Sequence, residues 1–260
     1  MSNSRELKNM KVLDLFSGIG GFSLAAEWAG FETTAFCEID ESCQKVLKKH
    51  WPDVPIHSNI KELNGADYAG IDIITGGYPC QPFSVAGNQK AQSDDRHLWP
   101  EMFRVIAQAK PTWAICENVL GHVRLGLDKV LIDLESIGYA CQPFIIPALA
   151  KGANHNRERV FIVAHSASNG QHESKTTGSD EAANGNGKEG ADENSNNERF
   201  SGLRFGMEGG SGSPWVGGAE PPALRVDDGI PNRMDRNKML GNSIHPSIAY
   251  EIFKAIRNFK

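Results

Sequence analysis

From residue 11 to residue 164 the sequence alternates short apolar runs with amphipathic stretches, and this alternation restricts the fold more than any other feature. The apolar runs of strand length are Val12–Leu15, Thr34–Cys37, Ile71–Thr75, Trp113–Cys116, Tyr139–Ile146 and Val160–Ala164. The stretches of helical periodicity are Gly21–Ala29, Glu41–His50, Trp99–Gln108, Leu127–Ile137 and, after a gap, Pro246–Asn258. Strands that alternate with helices at this spacing predict an α/β fold with a mostly parallel sheet and helices on both faces.

The alternation stops at residue 165. From 165 to 199 the sequence contains no large aliphatic or aromatic residue and no cysteine, and it consists mainly of Gly, Asn, Ser, Glu, Asp and Lys. Such a segment buries too little surface to offset its ordering entropy, so we expect disorder or a long excursion there. Apolar residues return from residue 200, among several prolines. We therefore predict a main domain at 1–164, a small irregular region at 165–236 and a returning segment at 237–260.

The net charge and the spacing of the cysteines restrict the classes of protein to which the sequence can belong. The formal net charge is −5, and residues 165–236 account for all of it with 12 acidic and 7 basic side chains. The net charge therefore does not exclude a basic groove elsewhere. The five cysteines are scattered without CxxC or zinc spacing, so we expect a reduced cytoplasmic protein without metal or disulfides. No apolar run is long enough to span a membrane, and the first residues lack the apolar stretch of a signal peptide.

The first predicted strand leads into a glycine-rich loop, DLFSGIGGF at residues 14–22. The dinucleotide fingerprint would need a glycine at position 23, which is Ser23. Asp14 among these glycines suits S-adenosylmethionine instead, because that ligand carries a cationic sulfonium and no phosphate. Glu38, at the end of the second strand, is placed to accept both ribose hydroxyls, and Ile39 to pack on the adenine. The alternative is a glycine-rich turn with a helix-capping carboxylate.

Four further sites follow or precede apolar runs. Cys80 lies in GGYPCQPFS at residues 76–84, where glycines and a proline fix the backbone path. A thiol on such a loop can act as a nucleophile, although a free cysteine is often a small buried hydrophobe. Glu117 ends an apolar run, Arg157 and Arg159 begin one, and Asn242 lies in a turn. Taken singly, these residues could be a helix cap, solvated charges and a turn residue.

Taken together, these motifs closely resemble the cytosine-C5 DNA methyltransferase family. The matching pieces run in family order over about 1–164 and 231–260: DLFSGIGGFSLA, FCEID, GGYPCQPFSVAGNQ, ENV, NRERVFIVA and GNSIHPSIA. The resemblance implies a Rossmann-like, S-adenosylmethionine-dependent methyltransferase sheet. It also implies that Cys80 attacks C6 of a flipped-out cytosine, that Glu117 holds N3 and the amino group, and that Arg159 binds O2 while Arg157 orders the loop.

The resemblance also implies a cofactor set and a substrate. S-adenosylmethionine would be bound by Phe16, Gly18, Ile19, Gly20, Glu38, Ile39, Asn59, Ile60, Leu98, Asn242 and Ser243. The loop from residue 84 to about 97 would close over double-stranded DNA, and residues 165–236 would be the target recognition region. The protein would act as a monomer, with a cognate restriction endonuclease left open. The chain departs from the family pattern at Asn59, where Asp is usual, at His155, and in its short, acidic recognition region.

Three alternatives remain open at this point. A tRNA cytosine-C5 methyltransferase is disfavoured because Val85-Ala86-Gly87 follows Phe83-Ser84, a sequence that favours DNA. A non-catalytic DNA-binding relative is disfavoured by the intact set of catalytic positions. A nicotinamide oxidoreductase is disfavoured by Ser23 and by the lack of residues for hydride transfer.

Overall fold

The computed structural model of the protein describes residues 9–79, 98–147, 158–166 and 243–259. Its strands are β1 (Lys11–Leu15), β2 (Glu32–Cys37), β3 (Ile56–His57), β4 (Ile73–Gly76), β5 (Trp113–Val119), β6 (Tyr139–Pro147) and β7 (Glu158–Ser166). Its helices are α1 (Gly21–Trp28), α2 (Glu41–His50), α3 (Trp99–Ala109), α4 (His122–Leu125), α5 (Leu127–Ser136) and α6 (Pro246–Asn258), with a 3-10 helix at Gly65–Tyr68.

The strands form one sheet in the order β3-β2-β1-β4-β5-β7-β6. The first five strands in this order are parallel, whereas β7 runs antiparallel to both β5 and β6. The order reverses between β1 and β4, and in open α/β sheets a ligand crevice lies at the carboxyl ends of the strands at such a point. The predicted α/β fold is confirmed, and the sheet places the ends of β1, β2, β4 and β5 on one edge.

The observed bounds differ from the expected ones where local hydrogen bonds compete with the sheet. Ile71 lies outside β4 because its N–H donates to the carbonyl of Tyr68, at the end of the 3-10 helix. β5 and β7 are longer than expected because they pair continuously, from Trp113 opposite His165 to Val119 opposite Arg159. The sequence patterns did not predict β3, the 3-10 helix or α4, which are each too short for a clear periodicity.

Two apolar layers cover the sheet. On one face, α3 and α5 pack on the sheet through residues such as Met102, Ile106 and Leu134, all essentially inaccessible. On the other face, α1 packs beside α6, whose buried side chains include Ile252 and Phe253. Each such side chain contributes about 1.5–3 kcal/mol through burial. A helix from the far end of the sequence is therefore part of the main core.

The returning helix α6 occupies the predicted range Pro246–Asn258. Its Arg257 donates a hydrogen bond to the carbonyl of Ala29, just past the end of α1. The division into 1–164, 165–236 and 237–260 stays a prediction, because residues 167–242 lie outside the described residues. Within the described ranges, no helix is long and apolar enough to cross a membrane.

Candidate active site

The loop after β1 has a backbone that only a few residue types adopt easily. Phe16, Gly18 and Gly20 have positive φ angles of 52°, 54° and 87°. Gly20 immediately precedes α1, and a Cβ atom there would lie 2.6 Å from the ring of Trp51. Glycine is therefore required at position 20 by both conformation and space. The loop presents backbone groups at the carboxyl end of β1, where the ligand crevice is expected.

Glu38 joins this loop to the end of β2. One carboxylate oxygen accepts a hydrogen bond from the N–H of Gly18 at 2.7 Å, and the other accepts from the N–H of Asp40 at 2.8 Å. The helix-capping carboxylate of α2 is Asp40, which accepts from the N–H groups of Ser42 and Cys43. Glu38 therefore does not cap a helix, contrary to the alternative interpretation. Next to it, the side chain of Ile39 is 77% exposed and available to a flat ligand.

Asp14 lies below the loop and is completely buried. Its carboxylate accepts 2.8 Å hydrogen bonds from the hydroxyls of Ser23 in α1 and Thr75 in β4. Burial raises the pKa of Asp14 to about 7, and the negative charge of Glu38 adds to the rise, while the two hydroxyls oppose it. Asp14 thus connects β1, β4 and α1 at the point where the strand order reverses.

A carboxylate and a guanidinium face each other at the carboxyl end of β5. Arg159 Nε lies 2.9 Å from Glu117 Oε1, and both side chains are largely shielded from solvent. The antiparallel course of β7 brings Arg159 to this edge, opposite Val119. A Cβ atom on Gly77 would lie 3.0 Å from Glu117 Oε2, so the exit of β4 passes directly beside the carboxylate. Glu117 is therefore not a helix cap, and Arg159 is not simply solvated.

Four further residues of the predicted cofactor set differ in their contacts and in their burial. Asn59 bonds locally, accepting from the N–H of Lys61 and donating to Glu62. Ile60 is buried in the apolar layer on the α3 face, and Leu98 packs partly against the same layer. The hydroxyl oxygen of Ser243 lies 3.2 Å from the position of a Cβ on Gly21, so the returning segment contacts the first loop.

The cysteines and three other parts of the predicted site divide between described and undescribed residues. Cys80, Arg157 and Asn242 lie outside the described residues, as do residues 84–97. The remaining cysteines, Cys37, Cys43, Cys116 and Cys141, are all buried. Burial raises the pKa of Cys37 and of Cys141 to about 12, which disfavours the reactive thiolate. No cluster of metal-ligating side chains occurs in the part of the chain that the structure describes.

Several buried polar contacts of this region were not predicted from the sequence. Ser23 and Thr75 are fully buried, and each interrupts an otherwise apolar stretch, which was the available signal. The hydroxyl of Tyr78 lies 2.8 Å from Nε2 of His122, although neither residue stands out by local pattern. These residues support the strand ends that carry the predicted site.

Comparisons with known proteins agree with this geometry. The family model described as C-5 cytosine-specific DNA methylase matches residues 10–205. The type II methyltransferase M.HgiBI of Herpetosiphon aurantiacus is 35% identical over 163 residues, 60% of this chain and 37% of that protein. M.AplI of Arthrospira platensis, also a type II methyltransferase, is 39% identical over 158 residues, 59% of this chain and 45% of that protein.

A solved structure shows the same similarity to DNA methyltransferases. An E. coli crystal structure described as a DNA modification methyltransferase encoded within a prophage superposes with a TM-score of 0.53 and 27% identity, covering 61% of this chain and 47% of that one. The chain thus spans less than half the length of each of these relatives. The match of the family model to most of the sequence, together with the sheet and its strand-end residues, shows that the chain belongs to the C-5 cytosine-specific DNA methylase family.

Proposed function

We propose that the protein is a DNA (cytosine-5)-methyltransferase that uses S-adenosylmethionine and acts on double-stranded DNA. The observation that carries the proposal is the Glu117–Arg159 pair beside Gly77. Cys80 follows Gly77 by three residues in the sequence, so the proposal assigns the nucleophilic thiol to the same site as this carboxyl group and guanidinium. A cytosine needs these three groups for attack at C6, for recognition of N3 and the amino group, and for recognition of O2.

The chemistry follows from the low reactivity of cytosine C5. Attack of the Cys80 thiolate on C6 forms a C–S bond and makes C5 electron-rich, while protonated Glu117 would stabilise the negative charge that develops at N3. C5 would then take the methyl group from the sulfonium, leaving a neutral thioether. A base removes the proton of C5, and β-elimination breaks the C6–S bond and releases the Cys80 thiolate. Covalent addition of this kind divides one difficult step into easier ones. The target atom is inaccessible in a duplex, so the base must be flipped out.

The first loop and Glu38 fit the methyl donor. S-adenosylmethionine would supply an electrophilic methyl group on its sulfonium. Glu38 is already fixed by the N–H groups of Gly18 and Asp40, so its remaining acceptor capacity is oriented for ribose hydroxyls. The exposed Ile39 offers an apolar surface to the adenine. Phe16, Ile19, Asn59, Ile60, Leu98, Asn242 and Ser243 complete the proposed cofactor set.

We further propose that the enzyme is a cytoplasmic monomer of the restriction-modification type. Type II methyltransferases are among its relatives, which supports the restriction-modification type and a cognate endonuclease as a partner. Arg157, two residues before Arg159 in the sequence, would order the loop that leads into β7. The region 165–236 would select the target sequence.

The decisive experiment compares the wild-type protein with Cys80→Ser. With tritiated S-adenosylmethionine, the wild type is expected to label duplex DNA at cytosine C5 and not tRNA, and to form a covalent complex with 5-fluorocytosine DNA. The serine variant is expected to bind S-adenosylmethionine with unchanged affinity but to give neither product. Methylation or covalent capture that persists in the variant would refute the role of Cys80, and labelling of tRNA alone would refute the DNA substrate.

A further inference from the structure

Tyr78, two residues before Cys80, is held by a polar contact that the proposed chemistry does not use. Its hydroxyl lies 2.8 Å from Nε2 of His122, which is the first residue of α4. Both residues are buried, with 4% and 7% of their surface exposed. The two rings pack edge to face with centroids 5.5 Å apart. A tyrosine hydroxyl in such a place is more than an apolar filler, because a buried polar group needs its hydrogen bond.

The same tyrosine has two other attachments. Its carbonyl oxygen accepts a hydrogen bond from Nδ2 of Asn118, the residue after Glu117, at 3.2 Å. Its ring packs on Trp99, with centroids 5.1 Å apart. Trp99 in turn donates from Nε1 to Asp133 of α5 at 2.8 Å. The exit of β4 is thus fixed to the end of β5 and to the first turn of α3.

These attachments involve residues that lie next in sequence to the proposed nucleophile and to its partner carboxyl group. Only Pro79 separates Tyr78 from Cys80, and proline restricts φ. Asn118 and His122 belong to the segment that continues directly from Glu117. Catalysis depends strongly on such placement, since a misplacement of about 1 Å reduces the rate by up to about 100-fold.

We propose that Tyr78 and His122 form a positioning pair, in which the hydroxyl–imidazole hydrogen bond fixes the Cys80-bearing exit of β4 against the Glu117-bearing end of β5. The pair acts through Cys80 and Glu117 and does not touch the substrate. This inference rests on the proposed function. It adds a determinant of the rate of methyl transfer that takes no part in the reaction itself.

The test removes one hydroxyl and keeps the ring. Tyr78→Phe is expected to lower the single-turnover rate of methyl transfer to duplex DNA about 10-fold. The dissociation constants for DNA and S-adenosylmethionine should stay within about twofold of wild type, because the pair does not contact either ligand. His122→Leu should produce a similar loss, and His122→Gln, whose amide can reach the position of Nε2, should restore most of the rate.

Tyr139→Phe is the matched control. The Tyr139 side chain is equally buried, and its hydroxyl donates to the carbonyl of Pro111 at 2.6 Å, at the opposite edge of the sheet. It should lose comparable stability in urea unfolding but keep the wild-type rate. A wild-type rate in Tyr78→Phe, or an equal loss of rate in Tyr139→Phe, would overturn the proposal, since the effect would then be absent or merely one of stability.

A second measurement tests the positioning pair independently of the proposed function. Alkylation of Cys80 by iodoacetamide, followed by mass spectrometry, needs neither DNA nor methyl transfer, and the other cysteines are buried. The alkylation rate of Cys80 should differ at least about threefold between the wild type and Tyr78→Phe, and should not change in Tyr139→Phe. Equal rates in all three proteins would overturn the positioning pair. Failure of the Cys80→Ser experiment would instead refute the proposed function.

Discussion

Replacement of Asp14 by asparagine should change how the stability of the protein depends on pH. The carboxyl group is completely buried, and the hydroxyls of Ser23 and Thr75 donate to its two oxygens. Asparagine has nearly the same shape, accepts one of these hydrogen bonds and donates in the other. The variant therefore removes the titration while keeping most of the packing and bonding.

The magnitude follows from the pKa. Burial raises the pKa of Asp14 from 3.8 to about 7, so between these values the folded chain holds a proton that the unfolded chain releases. The protonated carboxyl group therefore contributes its full stabilisation below pH 3.8, and this stabilisation is lost as the pH rises to about 7. The full shift corresponds to about 4 kcal/mol, of which about 2 to 3 kcal/mol falls between pH 5 and pH 8.

Urea unfolding at half-unit intervals from pH 5 to pH 8 measures this difference. The free energy of unfolding of the wild type should fall relative to that of Asp14→Asn by about 2 to 3 kcal/mol over this range. Asp53→Asn, which neutralises an exposed aspartate, controls for net charge and should follow the wild-type curve. A difference between wild type and Asp14→Asn that stays constant from pH 5 to pH 8 would refute the reasoning.

Two further changes test the first loop. Glu38→Gln should weaken S-adenosylmethionine binding in calorimetry by about 10- to 100-fold, because a charged acceptor is lost, whereas Glu41→Gln, on the exposed start of α2, should bind within about twofold of wild type. Gly20→Ala should destabilise the protein by about 2 to 5 kcal/mol in urea unfolding, because a Cβ meets Trp51 at a φ of 87°. Gly70→Ala, at a φ of 82° in open space, should lose only about 1 to 2 kcal/mol, and equal losses in the two alanine variants would contradict the contact with Trp51.

Residue types at strand ends were predictable from the sequence, but their pairing was not. Glu117 follows one apolar run and Arg159 precedes another, so both could be assigned to an edge of the sheet. Their 2.9 Å contact depends on β7 running antiparallel to β5. An apolar run such as Val160–Ala164 has the same pattern in either direction, so the sequence carries no local signal for this reversal.

Sequence patterns also could not predict the contacts between residues that are far apart in the sequence. Asp14 bonds to Thr75, 61 residues away, and Tyr78 bonds to His122, 44 residues away. Periodicity reports which face of an element is buried, but not which buried polar side chains meet. The glycine-rich loop and Glu38 were easier to predict. A glycine-rich turn, followed at this spacing by an acidic residue at the end of the next strand, is a known ligand-binding arrangement.

The packing of α6 on α1 has a consequence for the order in which the chain is made. α1 follows the first strand, whereas α6 begins only at Pro246, and Ile244, just before it, contacts Gly21 of the first loop. On the ribosome, the side of α1 that α6 covers therefore stays exposed until β1 to β7 and the residues that follow them are synthesised. The loop proposed to hold the methyl donor gains its contact with Ile244 only after this segment is synthesised, so a nascent chain should be unable to bind the donor tightly before then.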